Sequence, residues 1–515
     1  MIIDDQPYDV IIVGTGAGGG TLAQKLAPTG KRILILERGT VMALEDQNRA
    51  DVDVFQKSRY RAPEQWYDQA GEPFSPQMNY AVGGNTKIYN AVLMRMRDRD
   101  FEAVTYQDGI TPEWPLKYAD WEPYYTAAEQ LYQVHGQAQS DPTEPAHSAD
   151  YPHAAIAHGP VIEPIVEMIQ SQGLHPAPLP MSLTQQSDDP TGDAEVFGIN
   201  LALKHPNVTL KTNAKVVELH TNLSGTEIVG VQAQINEQMF SFKADVVVLA
   251  CGAVNSAALM LDSANEKHPN GLANGSDQLG RNLMKPLMTV IVERGAADND
   301  GKFAPSVGIN DFYWGDRDYN YPMGHIENSG GLLQDLIFAE SPPVLSVLAR
   351  LLPNASLTRL AKRSIGWWAQ TGVLPNPNNR IYWQHTTRYN GQRRKKLRCE
   401  FTPNNLEAHD RLVYRWLEVL KDLEKTATGV RQSAVYPRSE SPIEVMGYQC
   451  GTCRMGRDPA TSVLNLDCRT HEIDNLYVVD SSFFPSCASV SPALTVMANA
   501  LRVGDHLIER LNATA

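Results

Sequence analysis

The sequence predicts an α/β protein with more than one domain, on three observations. A β-rich run, Tyr8 to Val13, is short enough to be a buried parallel strand. A glycine-rich turn, a helix-prone stretch (Thr21 to Leu26) and a second apolar run (Arg32 to Leu36) follow it, an order typical of a strand–turn–helix–strand unit. The length of 515 residues exceeds what one compact domain usually holds, so we expect at least two domains.

The composition argues against several classes of partner and environment. The chain has 45 basic and 59 acidic residues, a net charge of -14, and a surface this acidic repels phosphate backbones. We therefore expect no nucleic-acid partner. The six cysteines are few for this length and the N-terminus carries no signal-peptide pattern, so we expect a reducing, cytoplasmic setting. No apolar run reaches the roughly 18 to 20 residues of a membrane-spanning helix.

The glycine-rich turn carries the pattern of a dinucleotide-binding Rossmann unit. Gly14, Gly16 and Gly19 form a G-x-G-x-x-G motif, and Glu37 lies 21 residues (37 minus 16) after the middle glycine. Such glycines let the backbone approach a pyrophosphate at a helix N-terminus, and the acid accepts hydrogen bonds from the adenosine ribose. This motif alone does not distinguish NAD from FAD. The residues expected to contact the dinucleotide are Gly14, Gly16, Ala17, Gly18, Gly19, Glu37 and Arg38.

A middle segment predicts further strands of the same sheet. His205 to Leu210, Ala214 to Leu219 and Ala244 to Gly252 are each rich in β-branched and other apolar residues, and the third ends in glycine before a helix. We interpret them as returns of the chain to the nucleotide sheet. The nucleotide-binding domain is therefore predicted to be discontinuous.

Three further blocks occur in order along the chain. They are Val82-Gly-Gly-Asn-Thr-Lys-Ile-Tyr-Asn90, Gly451-Thr-Cys-Arg-Met-Gly456 and Asn475-Leu-Tyr-Val-Val-Asp-Ser-Ser-Phe-Phe-Pro485. Together with the glycine turn, they resemble the glucose-methanol-choline (GMC) oxidoreductases over essentially the whole chain. The resemblance implies an α/β fold with a Rossmann-like FAD-binding domain and a discontinuous substrate domain built on a mostly antiparallel β-sheet.

The resemblance also implies domain boundaries. The FAD-binding domain is expected to comprise residues 1–150, 205–285 and 444–515, and the substrate domain residues 151–204 and 286–443.

The same resemblance implies where FAD lies. Gly83, Gly84 and Asn85 are expected beside the isoalloxazine ring, and Asp480 and Ser481 near the pyrophosphate and ribityl chain. Covalent attachment in the family, when present, uses a histidine near the glycine pair, and this chain has Lys87, Ile88 and Tyr89 there instead. We therefore expect non-covalent FAD. The other residues expected at the cofactor are Asn90, Val216, Cys251, Gly252 and Pro492.

The expected catalytic positions depart from the family pattern. The reaction implied is hydride transfer from a CH–OH group to flavin N5 while a base takes the hydroxyl proton. Where the family usually has histidine, this chain has Tyr448, and where it usually has asparagine or histidine, Ser491 precedes Pro492. An unperturbed tyrosine titrates near pH 10, so Tyr448 is a poor base at pH 7 unless a nearby cation lowers its pKa.

The C-terminal segment predicts a helix from its own residues. Leu494, Met497, Leu501, Ile508 and Leu511 fall at helical spacing, and Ser491 with Pro492 is typical of an N-cap and first helical residue. The helix is therefore predicted to start at Ser491. Capping is a sufficient structural role for Ser491. The resemblance to the GMC family implies that the positive end of this helix faces the flavin pyrimidine edge.

Other candidate residues are given structural interpretations. His325 and His471 are interpreted as packing or surface histidines, and the Cys450-x-x-Cys453 pair belongs to a family block and lacks a second pair, so we expect no metal. Residues 342–368 mix apolar and basic side chains as a lipid-surface helix does. We favour a core-facing helix pair there, broken at Pro353, over contact with a membrane surface.

Two functional alternatives stay open. One is a non-oxidative or light-driven flavoenzyme, since the family includes hydroxynitrile lyases and fatty-acid photodecarboxylases; the other is a flavin-binding protein without turnover. The leading hypothesis is an FAD-dependent oxidoreductase acting on an alcohol or sugar-like small molecule. No motif identifies the substrate or the electron acceptor.

Overall fold

A five-stranded parallel sheet gathers strands from both ends and the middle of the chain. The computed structural model describes residues 2–4, 6–43, 59–183, 192–294, 306–331, 364–387, 393–426, 432–435 and 448–513. The sheet has the order β12, β3, β2, β16, β24, and all four pairings are parallel. Its strands are β2 (Tyr8–Val13), β3 (Ile33–Leu36), β12 (Val208–Lys211), β16 (Ala244–Leu249) and β24 (Leu476–Val478).

Helices cover this sheet because its strands are apolar on both faces. Every residue of β3 is buried, as a parallel strand between two layers requires. Helix α1 (Ala17–Leu26) packs against the last helix, α7 (Ala493–Ala513), which also packs against α2 (Tyr118–Leu131). The remaining α-helices of the described residues are α3 (Glu163–Ser171), α4 (Asn200–Ala202), α5 (Ala253–Asp262) and α6 (Leu406–Thr426).

One predicted strand of the parallel sheet lies elsewhere. The segment from Ala214 forms β13 (Ala214–Thr221), which pairs antiparallel with β14 (Ile228–Ile235) in a separate sheet of order β1, β15, β14, β13. That sheet also contains β1 (Ile2–Ile3) and β15 (Gln238–Phe242). The prediction was wrong for β13 because only some of its residues are buried, as in a strand with one solvated face.

The second large sheet is antiparallel throughout, as the resemblance implies for the substrate domain. Its order is β10, β18, β19, β20, β17, β23. Helices α3 and α6 form a separate core with it, in which the rings of Trp367 and Trp416 lie 4.6 Å apart. The strands are β10 (Ala177–Pro178), β17 (Leu287–Arg294), β18 (Val307–Ile309), β19 (His325–Gly331), β20 (Ser364–Thr371) and β23 (Gln432–Val435).

Smaller sheets complete the strand set of the described residues. A four-stranded sheet joins β21 (Arg380–Thr387) and β22 (Arg393–Glu400) to β4 (Trp66–Tyr67) and β5 (Pro73–Phe74). The others combine β11 (Met181–Ser182), β8 (Val134–Gly136) and β9 (His153–Ala154), and β6 (Thr105–Tyr106) with β7 (Gly109–Ile110).

The predicted helix pair at residues 342–368 is wrong at its C-terminal end. Residues 364–368 belong to strand β20, and the Trp367 side chain is buried in the antiparallel sheet. β-branched and aromatic residues there fit a pleated, buried surface, which the helical interpretation overlooked. Residues 342–363 lie outside the described part of the chain. Within the described ranges, no helix combines the length and the apolar composition needed to cross a membrane.

A buried ion pair fixes helix α2 against the preceding segment. The Arg95 guanidinium donates to both oxygens of Glu129, from Nε at 2.7 Å and from Nη2 at 2.6 Å. Both side chains are almost fully buried. Burial raises the pKa of Glu129 although Arg95 opposes this effect.

The substitution Arg95→Met is expected to lower the free energy of unfolding by about 3–5 kcal/mol, because it leaves the Glu129 carboxylate buried without its partner. Thermal and urea unfolding measure the change. Lys117→Met is the matched control, since the Lys117–Glu113 pair is exposed and contributes little. Equal effects of the two substitutions would contradict the assignment.

Candidate functional site

A cavity of about 580 Å³ opens at the carboxyl ends of the parallel strands. It is lined by the residues that follow β2 (Gly14), β3 (Glu37), β16 (Ala250) and β24 (Asp480). This edge is where open parallel sheets bind ligands. Val216 of β13 and Trp383 of β21 extend the lining beyond the parallel sheet.

The glycines of the turn have two different physical roles. A Cβ on Gly14 would lie 2.4 Å from the Ala250 carbonyl oxygen, and one on Gly18 would lie 2.3 Å from the Val479 oxygen, so these glycines permit close backbone packing. A Cβ on Gly16 would meet no heavy atom closer than the Gly83 oxygen at 4.0 Å and would project into open space. The absence of a side chain at Gly16 therefore leaves space in the cavity at the N-terminus of α1.

Glu37 lies at the end of β3 with its carboxylate buried. Its Oε2 accepts hydrogen bonds from the Thr15 amide at 3.1 Å and the Thr15 hydroxyl at 2.5 Å, and its Oε1 accepts from the Gly39 amide at 2.8 Å. Burial raises the pKa of Glu37, while these hydrogen bonds oppose the shift. The neighbouring Arg38 stacks over the Tyr80 ring at 3.6 Å and donates to Glu64 at 2.9 Å. Arg38 is thereby held at the cavity wall.

Asp480 joins the segment after β24 to the turn after β16. Its Oδ2 accepts from the Gly252 amide at 3.0 Å and from the Ser256 hydroxyl, and its Oδ1 accepts from the Ser482 amide at 3.0 Å. Burial raises the pKa of Asp480, and the hydrogen bonds act against that rise. The Ser481 hydroxyl donates to the Gln449 carbonyl at 2.6 Å, so the same segment also holds the residue beside Tyr448.

The segment from Gly83 to Asn90 crosses the glycine turn. The Gly83 amide donates to the Thr15 hydroxyl at 3.1 Å, and Gly84 adopts a φ of +58° that suits glycine. A Cβ on Gly84 would lie 3.1 Å from the Gly16 Cα, so the two backbones nearly touch. Asn85 is oriented by the Asn79 amide, which donates to its Oδ1 at 2.8 Å.

Most of the residues predicted at the cofactor come together in this cavity. Gly19, Gly83 and Asn90 are not among its lining residues: Gly19 packs on the Gly14 carbonyl, Gly83 supports the turn, and Asn90 lines a smaller pocket nearby. The predicted residues that line the cavity are Gly14, Gly16, Ala17, Gly18, Glu37, Arg38, Gly84, Asn85, Val216, Cys251, Gly252, Asp480, Ser481 and Pro492, together with Tyr448.

The last helix starts two residues later than predicted. Helix α7 begins at Ala493, and the Val496 amide donates to the Pro492 carbonyl at 3.0 Å, so Pro492 and not Ser491 is in the cap position. The prediction was wrong because the first backbone hydrogen bond of the helix closes on the Pro492 carbonyl, and Ser491 lies outside the helix, beside Tyr448 in the lining of a small pocket. Pro492, Ala493 and Val496 line the cavity, so the positive end of the α7 dipole faces it.

Tyr448 and Ser491 lie where the cavity meets a small polar pocket. The pocket has a volume of about 10 Å³, about the least that can hold one water molecule. Tyr448 and Tyr89 line both spaces and so form their junction. Burial raises the pKa of Tyr448 well above its usual value, Glu327 raises it further, and the Ser491 hydrogen bond opposes this. Tyr448 is therefore protonated at neutral pH and is a hydrogen-bond donor.

The pocket also contains two residues that the sequence analysis missed. Glu327 of β19 and Gln370 of β20 line it, and His325 lies behind Glu327 with its Nε2 3.1 Å from Glu327 Oε2. His325, which we interpreted as a packing histidine, is buried, whereas His471 contacts Ser462 at 2.9 Å away from this pocket. No local motif marks Glu327 or Gln370. The one signal in the sequence is that His325 and Glu327 are two residues apart, a spacing that places both side chains on the same face of a strand.

The cavity residues fit an adenine dinucleotide such as FAD. The open space at Gly16 faces the N-terminus of α1, where unpaired amides favour a pyrophosphate. Glu37 lies at the cavity wall beside this turn, and a second helix N-terminus, that of α7, faces the same space.

Comparisons with known proteins agree with this architecture. The family model for the N-terminal part of GMC oxidoreductases matches residues 8–287, and the model for the C-terminal part matches residues 375–500. The 6'''-hydroxyparomomycin C oxidase of Streptomyces lividus is 28% identical, over 99% of this chain and 93% of that protein. The paromamine 6'-oxidase of Streptomyces fradiae is 27% identical, over 99% and 94%.

The fold is likewise similar to solved structures. Pyridoxine 4-oxidase from Mesorbium loti superposes with a TM-score of 0.71 at 18% identity, covering 97% of this chain and 99% of that one. The parallel sheet, the glycine turn and the matched family models agree on one assignment. The chain belongs to the GMC oxidoreductases and is an FAD-dependent oxidoreductase.

Proposed function

We propose that this enzyme oxidises a CH–OH group of an alcohol or sugar-like small molecule, with Tyr448 in place of the usual histidine and Ser491 in place of the usual asparagine or histidine. The observation that carries the proposal is the junction at Tyr448 and Tyr89, where the cofactor-sized cavity meets a small polar pocket. A pocket of this size suits one hydroxyl group of a larger substrate. When bound, FAD supplies the acceptor for the hydride that such an oxidation releases.

The cavity residues support a division of roles in holding FAD. Gly16 and the N-terminus of α1 would receive the pyrophosphate, and Glu37 would accept from the ribose hydroxyls. Asp480, held by Gly252 and Ser256, orders the segment that would contact the cofactor on the other side. The N-terminus of α7 would stabilise negative charge at the flavin end of the cavity.

Three side chains support non-covalent binding of FAD because each is already engaged or weakly nucleophilic. Lys87 Nζ donates to Asp193 at 2.8 Å and to Glu195 at 2.7 Å, and the Tyr89 hydroxyl donates to the Gly192 carbonyl at 2.6 Å. Burial raises the pKa of the Cys251 thiol to about 12, so little thiolate forms at neutral pH.

Tyr448 orients the substrate and does not remove its proton in this proposal. A protonated phenol in contact with Ser491 donates a hydrogen bond to the oxygen atom on which charge develops. Ser491 fixes the phenol ring of Tyr448 at the junction. This arrangement keeps the donor in place without the histidine that the family usually has there.

The sugar-like substrate class is supported by the relatives. Two aminoglycoside-type oxidases match nearly the full length of this chain at 27–28% identity. We therefore propose a hydroxyl group on a sugar or amino sugar as the first substrate class to test.

The proposal is tested by anaerobic mixing of purified, FAD-loaded protein with paromamine, fructose and benzyl alcohol. Bleaching of the flavin by at least one of these alcohols in darkness supports oxidation. Product without net bleaching, or only under blue light, would instead favour the lyase or photodecarboxylase alternative. Absence of bleaching and of product would leave a flavin-binding protein without turnover.

The substitution Gly16→Val is expected to give a folded but largely colourless protein, because the new side chain fills the space at the N-terminus of α1. The flavin absorbance of the purified protein and the Kd for added FAD measure the effect. Gly230→Ala is the control, since its Cβ would make only ordinary contacts with His220 at 3.5 Å. Wild-type flavin content in Gly16→Val would contradict the assignment of the cradle.

Acid precipitation of the holoenzyme is expected to release all of the flavin into the supernatant, because the Lys87, Tyr89 and Cys251 side chains are engaged or weakly nucleophilic in this proposal. The absorbance of supernatant and pellet measures the partition. Flavin fluorescence that stays with the denatured chain on a gel would overturn the expectation.

The substitution Tyr448→Phe is expected to slow bleaching by about 10²-fold through loss of one hydrogen-bond donor. Because the pKa of Tyr448 is raised, the phenol stays protonated below pH 10, and the loss should be equal at pH 7 and pH 9. Stopped-flow absorbance measures it, with Tyr382→Phe, whose hydroxyl bonds to Glu400, as control. A loss that becomes larger at pH 9 than at pH 7 would indicate that Tyr448 ionises and acts as a base.

A further inference from the structure

We infer that Glu327 is the catalytic proton acceptor for the substrate hydroxyl, with Gln370 as the donor that orients the substrate oxygen and His325 as the residue that positions Glu327. This inference rests on the proposed function and deepens it. Removal of the substrate proton is thereby assigned to a residue of strand β19 in the antiparallel sheet. This residue is far in sequence from Tyr448 and Ser491, the two positions that the family pattern indicates.

The pocket itself restricts the choice of base. Nine residues of the described chain line it, and Glu327 is the only carboxylate among them. Tyr448 holds its own proton because its pKa is raised, and a serine hydroxyl such as that of Ser491 is not a base at neutral pH. The lining residues are Tyr89, Asn90, Ala91, Val92, Met94, Glu327, Gln370, Tyr448 and Ser491.

The sheet register brings the acceptor and the donor together. His325 of β19 is directly opposite Gln370 of β20, and Glu327 follows His325 by two residues on the same face of its strand. The two pocket residues are therefore diagonal neighbours across one antiparallel pair, within reach of a single bound oxygen.

Gln370 provides a second, independent sign of a ligand. The residue is buried, yet its Nε2 finds no hydrogen-bond partner among the described residues. A buried amide donor without a partner is costly, and native structures usually satisfy such groups. A substrate oxygen in the pocket would accept this hydrogen bond.

A chain of hydrogen bonds defines which atom of Glu327 is available. Asp141 accepts from the Arg97 guanidinium at 2.5 Å and from Asn310 Nδ2 at 2.7 Å, which turns the Asn310 carbonyl oxygen toward His325. His325 Nδ1 lies 2.8 Å from that oxygen and must carry the hydrogen, since an amide oxygen only accepts. Nε2 lies 3.1 Å from Glu327 Oε2, and for an ionised Glu327 to accept there Nε2 must carry a hydrogen as well, so that His325 donates from both ring nitrogens.

This arrangement leaves Glu327 Oε1 for the substrate. In the step, the substrate O–H bond breaks and its proton bonds to Oε1, while the O–H electron pair forms the new C=O bond. FAD, when bound, would accept the C–H electron pair as hydride, so that one two-electron oxidation of the alcohol is balanced. A neighbouring His325 keeps the carboxylate in a fixed orientation.

The test compares Glu327→Gln with Glu293→Gln in the FAD-loaded enzyme. Glu293 is a buried carboxylate of β17 in the same sheet, but it accepts from the Trp367 indole at 3.2 Å, so the control removes an equal charge elsewhere. Glu327→Gln is expected to slow anaerobic bleaching by paromamine, fructose or benzyl alcohol about 10²- to 10⁴-fold. The control is expected to bleach within about threefold of wild type.

Two readouts other than turnover separate a proton acceptor from a structural role. Shifts of the flavin absorption bands give the Kd of each alcohol, which Glu327→Gln should leave nearly unchanged and Gln370→Leu should raise about tenfold. The flavin content and unfolding temperature of Glu327→Gln should equal those of wild type. In Glu327→Ala, added azide should restore part of the bleaching rate, since a free base replaces the missing carboxylate.

The outcomes distinguish this inference from the function on which it rests. Bleaching of wild type together with equal bleaching of Glu327→Gln would overturn the role of Glu327 alone. A slow Glu327→Gln variant that has also lost FAD, with no azide rescue of Glu327→Ala, would assign the residue a structural role. If no alcohol bleaches the wild-type flavin, the proposed oxidation fails and this inference fails with it.

Discussion

Close backbone contact at the glycine turn holds three distant segments of the chain together. Gly14 packs on the carbonyl of Ala250, and Gly18 on that of Val479, at separations that leave no room for a Cβ. The N-terminal, middle and C-terminal segments therefore meet at one edge of the parallel sheet. Because this contact also exposes backbone amides at the start of α1, the constraint that assembles the sheet also forms the cofactor cradle.

In the proposed chemistry, the residues around the small pocket divide the roles of proton acceptor and hydrogen-bond donor differently from the family pattern. Burial and the nearby Glu327 keep Tyr448 protonated, so the position where the family usually has a base becomes a donor. The carboxylate that helps to keep the phenol neutral is itself suited to accept a proton. Its orientation depends on His325, and that of His325 depends on Asn310 and the Arg97–Asp141 pair. A buried polar network thus connects the pocket to the packing of a distant segment.

Sequence patterns predicted the parts of the fold that depend on neighbours along the chain. Strands β2, β3 and β16 occur where apolar runs and glycines placed them, and helix α1 covers the predicted stretch and begins four residues before it. Errors arose where a pairing partner decides the structure. The segment at Ala214 was assigned to the wrong sheet, and residues 364–368 form a strand although their composition suggested a helix. Ser491 was predicted as a cap, but the helix begins after Pro492, and Ser491 lies beside Tyr448 instead.

The sequence by itself determined that a strand, a glycine turn, a helix and an acidic strand end follow one another, because these features depend on local conformation and short spacing. It also determined the family, through blocks that keep their order along the chain. Only the tertiary structure placed Glu327 and Gln370 beside Tyr448, since antiparallel pairing of β19 with β20 joins residues that no local pattern relates. A substrate pocket built from side chains of separate strands has no signature in any one of them.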